Sequence, residues 1–573
     1  MEFLIPDPDQ PRLGERVAIV GAGATGTYCL HALVKADAAA EIVVFEASDC
    51  PGPGLAYSPA LNELHALANI AGFEIPPLIE PLNAWAVRQE PAQLETWGIA
   101  DSAGNDRAFF PRAVLGEWLA DQFRQITATS NVPVQVHAQV EVQDIVTLPD
   151  SCRVQWRDKD GAARQDEFDR VVIASGYGAI SGADPEAAES TGKSATVAAE
   201  NRKAAQFGVL GSSLSGIDAA VSIAIARGSF VEDEEMLKYV ATEPFRCVLM
   251  SRNGLLPEAD FWFPHPLPEL GNFNAEFAAD CVKGEDGDLD RLFAKFADVL
   301  RERAPDWAAE IGLSQATADD FAERYFARRR STDVWAHARQ NLQDVKAWSQ
   351  SHQTPAWRII ILKAHEIFAT VIAALSPGDL ARLHRGLKRV FTDNYAAVPH
   401  LSIERLLALR EAGVLDVVAL GNDYDITPGR DTWLVKSQEW SHRFDELVDA
   451  RGPQAAALTR FPFPTLRLQL CASALEDDLD WKDGVNPASD LTVSEQDPSL
   501  KRVHLCALPY LLRNRPFVQG LVECAGMARA VADAIAQSHS APAEASTSAE
   551  DLIELLDRPA VILATGEVLP LAG

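Results

Sequence analysis

The sequence predicts an α/β fold of two doubly wound, Rossmann-like units with a helical insertion, and three observations predict it. An apolar strand, a glycine-rich turn and an apolar helix follow one another from Val17, and the same order recurs around Gly211. What comes after each turn is also alike, since 134–176 and 414–452 both read as strands, a polar turn and a last buried strand ending in x-x-G. Between 255 and 399 the pattern changes to apolar residues three and four apart, which is the helical period.

The first unit opens with RVAIVGAGATGTYCLHAL, in which Val17 to Val20 form the strand and Gly21, Gly23 and Gly26 make G-x-G-x-x-G. Gly21 permits the tight turn, Gly23 lets the backbone approach a pyrophosphate, and Gly26 lets helix and strand touch. The phosphate charge then lies at the helix N-terminus. The next strand, EIVVFEAS, ends on Glu46, where a carboxylate can take both hydroxyls of an adenosine ribose. Strand, turn, helix and acid together specify a dinucleotide site. A lone glycine motif would not.

The second unit carries QFGVLGSSLSGIDAAVSIAIA, with Gly211, Ser213 and Gly216 at the same spacing and a small serine at the middle position. Its following strand, FRCVLMS, delivers Arg252 where an adenosine 2′-phosphate would lie. No acid stands there, which favours NADPH over NADH; the plain alternative is a solvated surface arginine. The stretch from Gly216 to Arg252 is long, so an insertion around 229–243 is expected.

Read in order, 13–195 is the first part of an FAD-binding domain, 203–254 and 400–452 an NADPH-binding domain, and 255–399 a helical insertion. Residues 453–537 return to the first domain, and 538–573 form a Ser/Ala/Pro-rich linker and tail. A chain of 573 residues exceeds one core. The net charge of −31 disfavours nucleic acid and anionic membrane surfaces as partners. No apolar run is long enough for a membrane span, and the N-terminus lacks the basic-then-apolar order of a secretory signal, so a cytoplasmic location is expected. Eight cysteines without a C-x-x-C or a metal-ligand spacing read as small buried side chains, and neither a redox role nor a metal is assigned.

With these motifs in place, the chain resembles the two-dinucleotide flavoproteins of the FAD/NAD(P)-binding monooxygenase type, and within them a bacterial family marked by PGPGLAYSP and HALANIAG. The resemblance implies flavin-contacting loops at those motifs, with Tyr57 and Asn69 close to the flavin. Asp169, then Ile173 to Tyr177, is similar to the D-x-x-x-[LF]-A-T-G-Y signature of flavin N-hydroxylating monooxygenases and brings Ser175 and Gly176 to the cofactor. RPFVQGLVECAGMARAVADAI resembles the third flavin segment, where Gln519 and Gly520 open a helix facing the flavin. The macrodipole of that helix favours negative charge on the reduced ring. The F-x-G-x-x-x-H-x-x-x-W fingerprint is missing between the glycine motifs, which excludes the Baeyer–Villiger subfamily.

The resemblance implies NADPH as hydride donor, FAD as acceptor, molecular oxygen captured as a C4a-hydroperoxide, and a small-molecule amine that attacks it. Among such bacterial enzymes are aspartate N-monooxygenases that make nitrosuccinate, and L-aspartate is the specific expectation. The insertion supplies Arg324, Arg328, Arg329, Arg330, Arg339 and Arg358, of which Arg328 and Arg329 are the candidate forks for a substrate carboxylate. His65, beside the flavin loop, is the candidate catalytic base. An FAD/NAD(P)H oxidoreductase without oxygen insertion and a non-catalytic flavoprotein module remain as alternatives. The oligomeric state stays open, a homo-oligomer included.

Overall fold

The computed structural model describes residues 14–176, 205–233, 236–430, 432–452, 455–476, 484–494, 497–518, 520–540, 561–562 and 568–569. Its first unit begins with Arg16–Val20 (β1) and Ala24–Lys35 (α1), then Glu41–Glu46 (β2), the short helix Gly54–Tyr57 (α2) and the long helix Arg112–Thr129 (α3). Strands Val134–Ala138 (β3), Glu141–Thr147 (β4), Cys152–Arg157 (β5), Ala163–Phe168 (β6) and Arg170–Ile173 (β7) follow. β1 is buried along nearly its whole length, as a central parallel strand covered on both faces must be. It pairs in parallel with β2 on one side and β7 on the other, and β3 extends the sheet beyond β2.

The second unit repeats this plan. Gln206–Leu210 (β8) leads through its turn into Leu214–Ile225 (α4), and the hairpin Gly228–Asp233 (β9) and Met236–Ala241 (β10) precedes Arg246–Ser251 (β11). That hairpin is the insertion anticipated from the long spacing to Arg252. The insertion helices are Ala275–Cys281 (α5), Asp288–Arg303 (α6), Pro305–Glu310 (α7), Phe321–Arg330 (α8), Val334–Ser351 (α9), Ala356–Ala369 (α10), Pro377–Arg385 (α11) and Leu387–Tyr395 (α12). After His400–Glu411 (α13) the sheet resumes with Leu415–Ala419 (β12), Tyr424–Pro428 (β13), Trp433–Ser437 (β14), Ser441–Phe444 (β15) and Glu446–Asp449 (β16).

The strand orders β3-β2-β1-β7 and β12-β11-β8-β16 are therefore equivalent. In each unit a three-stranded antiparallel meander, β4-β5-β6 or β13-β14-β15, separates the edge strand from the closing strand. The sequence suggests a hairpin at these places. The extra strand is the one after the edge strand, and in the first unit a bulge at Val142 and Asp144 blurs the alternation that would announce it.

Pro464–Glu476 (α14), Val503–Leu505 (β17) and Leu521–Ser540 (α15) complete the chain's return to the first unit, with β17 adding to β7. Asp144 of the bulge anchors α14 by accepting from the Thr465 amide at 3.0 Å. Helix α15 packs on α1, where Thr25 Oγ1 and Cys524 Sγ lie 3.2 Å apart, and its Leu521, Ala528, Val531 and Ile535 join the core of β1, β2 and β7. The insertion has a separate core of phenylalanines, Phe293, Phe296, Phe321, Phe368 and Phe391, and Phe517 from the return segment is buried in it. Among the described residues no helix is long and apolar enough to cross a membrane.

Candidate dinucleotide sites

The turn between β1 and α1 is made by contacts that only glycine tolerates. Gly21 has φ +98°, and a Cβ there would stand 2.5 Å from the Ala174 carbonyl oxygen; a Cβ on Gly26 would stand 2.0 Å from the carbonyl oxygen of Gly21. Gly23 faces Gly54 of the PGPGLAYSP loop so closely that a Cβ would meet its Cα at 3.2 Å. As N-cap of α1, Gly23 brings no side-chain acceptor, which leaves the first-turn amides for an anion. Glu46 is held at the end of β2 by the Ala22 amide at 2.7 Å and the Ser48 amide at 2.8 Å. Two amides fix its orientation and leave lone pairs over for a ribose.

Two further observations fit a cofactor at this edge of the sheet. Ser175 Oγ is buried with no hydrogen-bond partner among the described residues, and Gly176 has φ +59° with open space where a side chain would begin. A buried hydroxyl without a partner is costly unless a ligand satisfies it. Asn69 is exposed on a loop stitched to 108–112 by the Ala68 amide on the Phe110 oxygen at 3.0 Å and the Arg112 amide on the Ala66 oxygen at 2.8 Å. Tyr57 ends α2, and burial pushes its hydroxyl far up. Gly520, φ +127°, opens α15, while Gln519 and Tyr177 lie outside the described residues. The donor set and the glycine cradle fit FAD.

The second cradle has the same geometry. A Cβ on Gly211 would stand 2.4 Å from the Ala450 oxygen and one on Gly216 2.4 Å from the Gly211 oxygen. Ser213 is the N-cap of α4, yet its hydroxyl makes no capping bond, so the first-turn amides are again unclaimed. Ser212 Oγ instead donates to the Leu255 oxygen at 2.6 Å, tying this turn to the start of the insertion. Arg252 is exposed just beyond the C-terminal end of β11, the edge at which nucleotides bind in such sheets.

Two expectations are corrected. Arg328 lies on the outer face of α8, 82% exposed and paired with Glu310 at 3.0 Å. Arg329 is buried, bound to Asp393 at 2.6 Å and Glu258 at 3.1 Å, with its guanidinium also donating to the Leu256 oxygen. One is solvated and the other consumed, so neither is a free carboxylate fork. Arg358 is likewise spent on Glu258, and Arg324, Arg330 and Arg339 pair with Asp320, Glu323 and Glu411.

His65 is not a free base either. Its Nε2 lies 2.8 Å from Ser222 Oγ of α4 and its Nδ1 3.1 Å from Glu63, and burial together with Arg405 lowers its pKa to about 4. Both ring nitrogens are occupied, Nε2 by a contact between the two units and Nδ1 by Glu63 of the same loop.

The residue that sequence reasoning passed over is Glu523, in the first turn of α15 and within 3.0 Å of a Cβ on Gly520. Burial raises its carboxyl to about 7, against its own backbone amide and with help from Glu366. Only the third flavin segment around it hinted at a site. Arg107 is the second: its guanidinium stacks on Phe73 and Trp262 and donates to the Phe263 oxygen at 3.1 Å, with the buried carboxyls of Glu74 and Asp260 within its electrostatic reach.

Residues 18–178 match the FAD-NAD(P)-binding family, and 274–395 match the YdhS-like middle domain. Over 540 residues, 92% of this chain and 98% of the relative, the chain is 36% identical to the protein YdhS of Escherichia coli (strain K12). Among solved structures it is similar to the ornithine N-hydroxylase KtzI of Kutzneria sp. 744, at 13% identity and TM-score 0.47, covering 92% of this chain and 99% of that one. It is also similar to the cadaverine monooxygenase DfoA of Erwinia amylovora, at 12% identity and TM-score 0.48, covering 93% and 97%. The bacillithiol disulfide reductase Bdr of Bacillus cereus is similar at 10% identity and TM-score 0.40, covering 92% and 99%. Likeness at such identities does not transfer chemistry from one chain to another.

Proposed function

The chain belongs to the YdhS family, and from that premise we propose that it is an NADPH- and FAD-dependent monooxygenase that oxidises the amine of a small amino acid, L-aspartate being the specific substrate. The observation that carries this reading is the doubled cradle: two glycine turns with unclaimed helix amides, one followed by the acid Glu46 and the other by the base Arg252. Bound FAD supplies a hydride acceptor that also activates oxygen. Everything else falls to the chain.

Gly21, Gly23 and the first turn of α1 hold the pyrophosphate, Glu46 the ribose, and Ser175 and Asn69 the flavin portion. The second cradle holds NADPH, with Arg252 on the 2′-phosphate. An ammonium group must lose a proton before it can attack, and Glu523, raised to about 7, is the carboxyl assigned to take it. Arg107 is the guanidinium assigned to the substrate carboxylate in place of Arg328 and Arg329.

Mixing the flavin-loaded protein with NADPH, oxygen and a panel of amino acids tests the reading. Aspartate-dependent NADPH consumption with a hydroxylamine or nitroso product is expected. Peroxide release without an oxidised amine would instead identify an oxidoreductase that inserts no oxygen. Arg252→Ala is expected to raise KM for NADPH about tenfold and leave KM for NADH unchanged, because it removes a charge-assisted contact that only the phosphorylated donor makes. Equal effects on both donors would remove Arg252 from the site.

A further inference from the structure

The contact that engages His65 belongs to a larger clasp. Helix α4 starts at the second glycine turn and carries Asp218 and Ser222 one turn apart, so both side chains lie on one face. Asp218 meets Arg112, the first residue of α3, at 2.8 Å, and Ser222 meets His65 at 2.8 Å. From α13 of the same unit, Arg405 donates to the His65 carbonyl oxygen, also at 2.8 Å. The loop 63–69 and the start of α3 are themselves one piece, joined by the Leu67–Pro111 bridge and the Arg112 amide on the Ala66 oxygen. Three polar contacts therefore run from the helix of the second cradle and from its neighbour, two onto the loop that ends in Asn69 and one onto the start of α3 that is joined to it.

The clasp is shielded rather than superficial, since His65 and Asp218 expose 9% and 17% of their side chains. Burial and length decide that it holds. Exposed ion pairs contribute little, whereas a shielded charge that loses its partner is left uncompensated.

We propose that Asp218, Arg112, Ser222, His65 and Arg405 are positioning residues that fix the pyridine-nucleotide helix against the flavin loop and so set the geometry of hydride transfer. This rests on the two-cofactor reading given above. The groups do not touch the reacting atoms; they act through the register of α4 on 63–69. A pyrophosphate seated at the N-terminus of α4 moves with that helix, so a small shift there displaces the nicotinamide from the flavin.

Asp218 also makes the clasp sensitive to acid. Burial raises its carboxyl to about 6, while Arg112 and Arg405 pull it down, and Glu63, Glu404 and His65 are the other titratable groups facing the junction. Above that pH the carboxylate is charged and paired; below it the pair with Arg112 is lost.

Asp218→Asn and the milder Ser222→Ala, prepared as flavin-loaded full chains, test the proposal with two readouts. Amide hydrogen exchange of α4 and 63–69 in the oxidised protein is expected to rise at least tenfold in Asp218→Asn and less in Ser222→Ala, with flavin content unchanged. Reduction by NADPH is expected to slow about tenfold at saturating donor while dithionite reduction stays the same. The acid limb near pH 6 disappears in Asp218→Asn, and the reversed pair Asp218→Arg with Arg112→Asp recovers part of the rate. Unchanged exchange in both variants, or unchanged reduction by NADPH, overturns it. A wild-type protein that NADPH never reduces refutes the two-cofactor reading, and the exchange result alone then decides whether the clasp holds the units together.

Discussion

Replacing Gly26 with valine is expected to give a folded but colourless protein, while the matching change at Gly216 leaves the flavin bound and abolishes its reduction by NADPH. The two glycines have the same job in different units. Gly26 lets α1 lie against the β1 turn, where a first side-chain carbon would be 2.0 Å from the Gly21 oxygen; Gly216 does so for α4, with 2.4 Å to the Gly211 oxygen. In both cases the obstacle is backbone and cannot rotate away. The helix has to move, and with it the amides that face the pyrophosphate.

Valine adds two more carbons to a first one that already overlaps backbone, so the helix must move further than it would for alanine. Flavin absorbance, circular dichroism, dithionite reduction and NADPH reduction on both variants separate the sites. Gly26→Val should lose the yellow chromophore with its secondary structure retained, and Gly216→Val should keep it, respond to dithionite and ignore NADPH. If Gly216→Val instead loses flavin, or Gly26→Val loses only the NADPH response, the assignment of the cofactors to the two cradles is reversed.

Much of this architecture is legible in the sequence because glycine spacing and strand hydrophobicity are local properties. Val17 to Gly26 and Phe207 to Gly216 announce strand, turn and helix within a single window, and the meanders after them repeat with enough fidelity to reveal the duplication. Arg329 shows where such reading ends. Its run of three arginines looks like one solvated or substrate-facing cluster, yet the helix turns Arg328 outward and Arg329 inward, and the partner Glu258 lies far back in the chain, in a loop whose course no periodicity predicts. Glu523 escapes for the opposite reason. On α15 it looks like an ordinary first-turn acid, favourable to the helix dipole, and only the packing of other elements over that end buries it enough to raise its carboxyl.

Removing the Glu258 carboxylate is expected to be the most destabilising single change outside the glycine cradles. Glu258 follows β11 and is 2% exposed; it forms an ion pair with Arg329 of α8 and accepts from Arg358 of α10 and from His337 and Asn341 of α9. Burial works against its charge, but the two arginines and His337 prevail and hold its carboxyl well below the usual range. Three insertion helices thus converge on one side chain in the segment that leads out of β11. Glu258→Ala removes the ion-pair partner of Arg358 in the protein interior, while Arg329 keeps Asp393. The general cost of breaking a buried ion pair in this way is about 3–5 kcal/mol. Urea unfolding followed by tryptophan fluorescence should show the loss, since Trp335, Trp348 and Trp357 sit on the helices concerned. Glu258→Gln, which keeps the shape and part of the hydrogen bonding, should lose less, and Glu258→Ala combined with Arg358→Met should recover part of the deficit because the stranded charge has gone. A deficit that the second substitution deepens would mean that Arg358 stabilises the insertion by stacking on Phe261 and Trp357 rather than by answering Glu258.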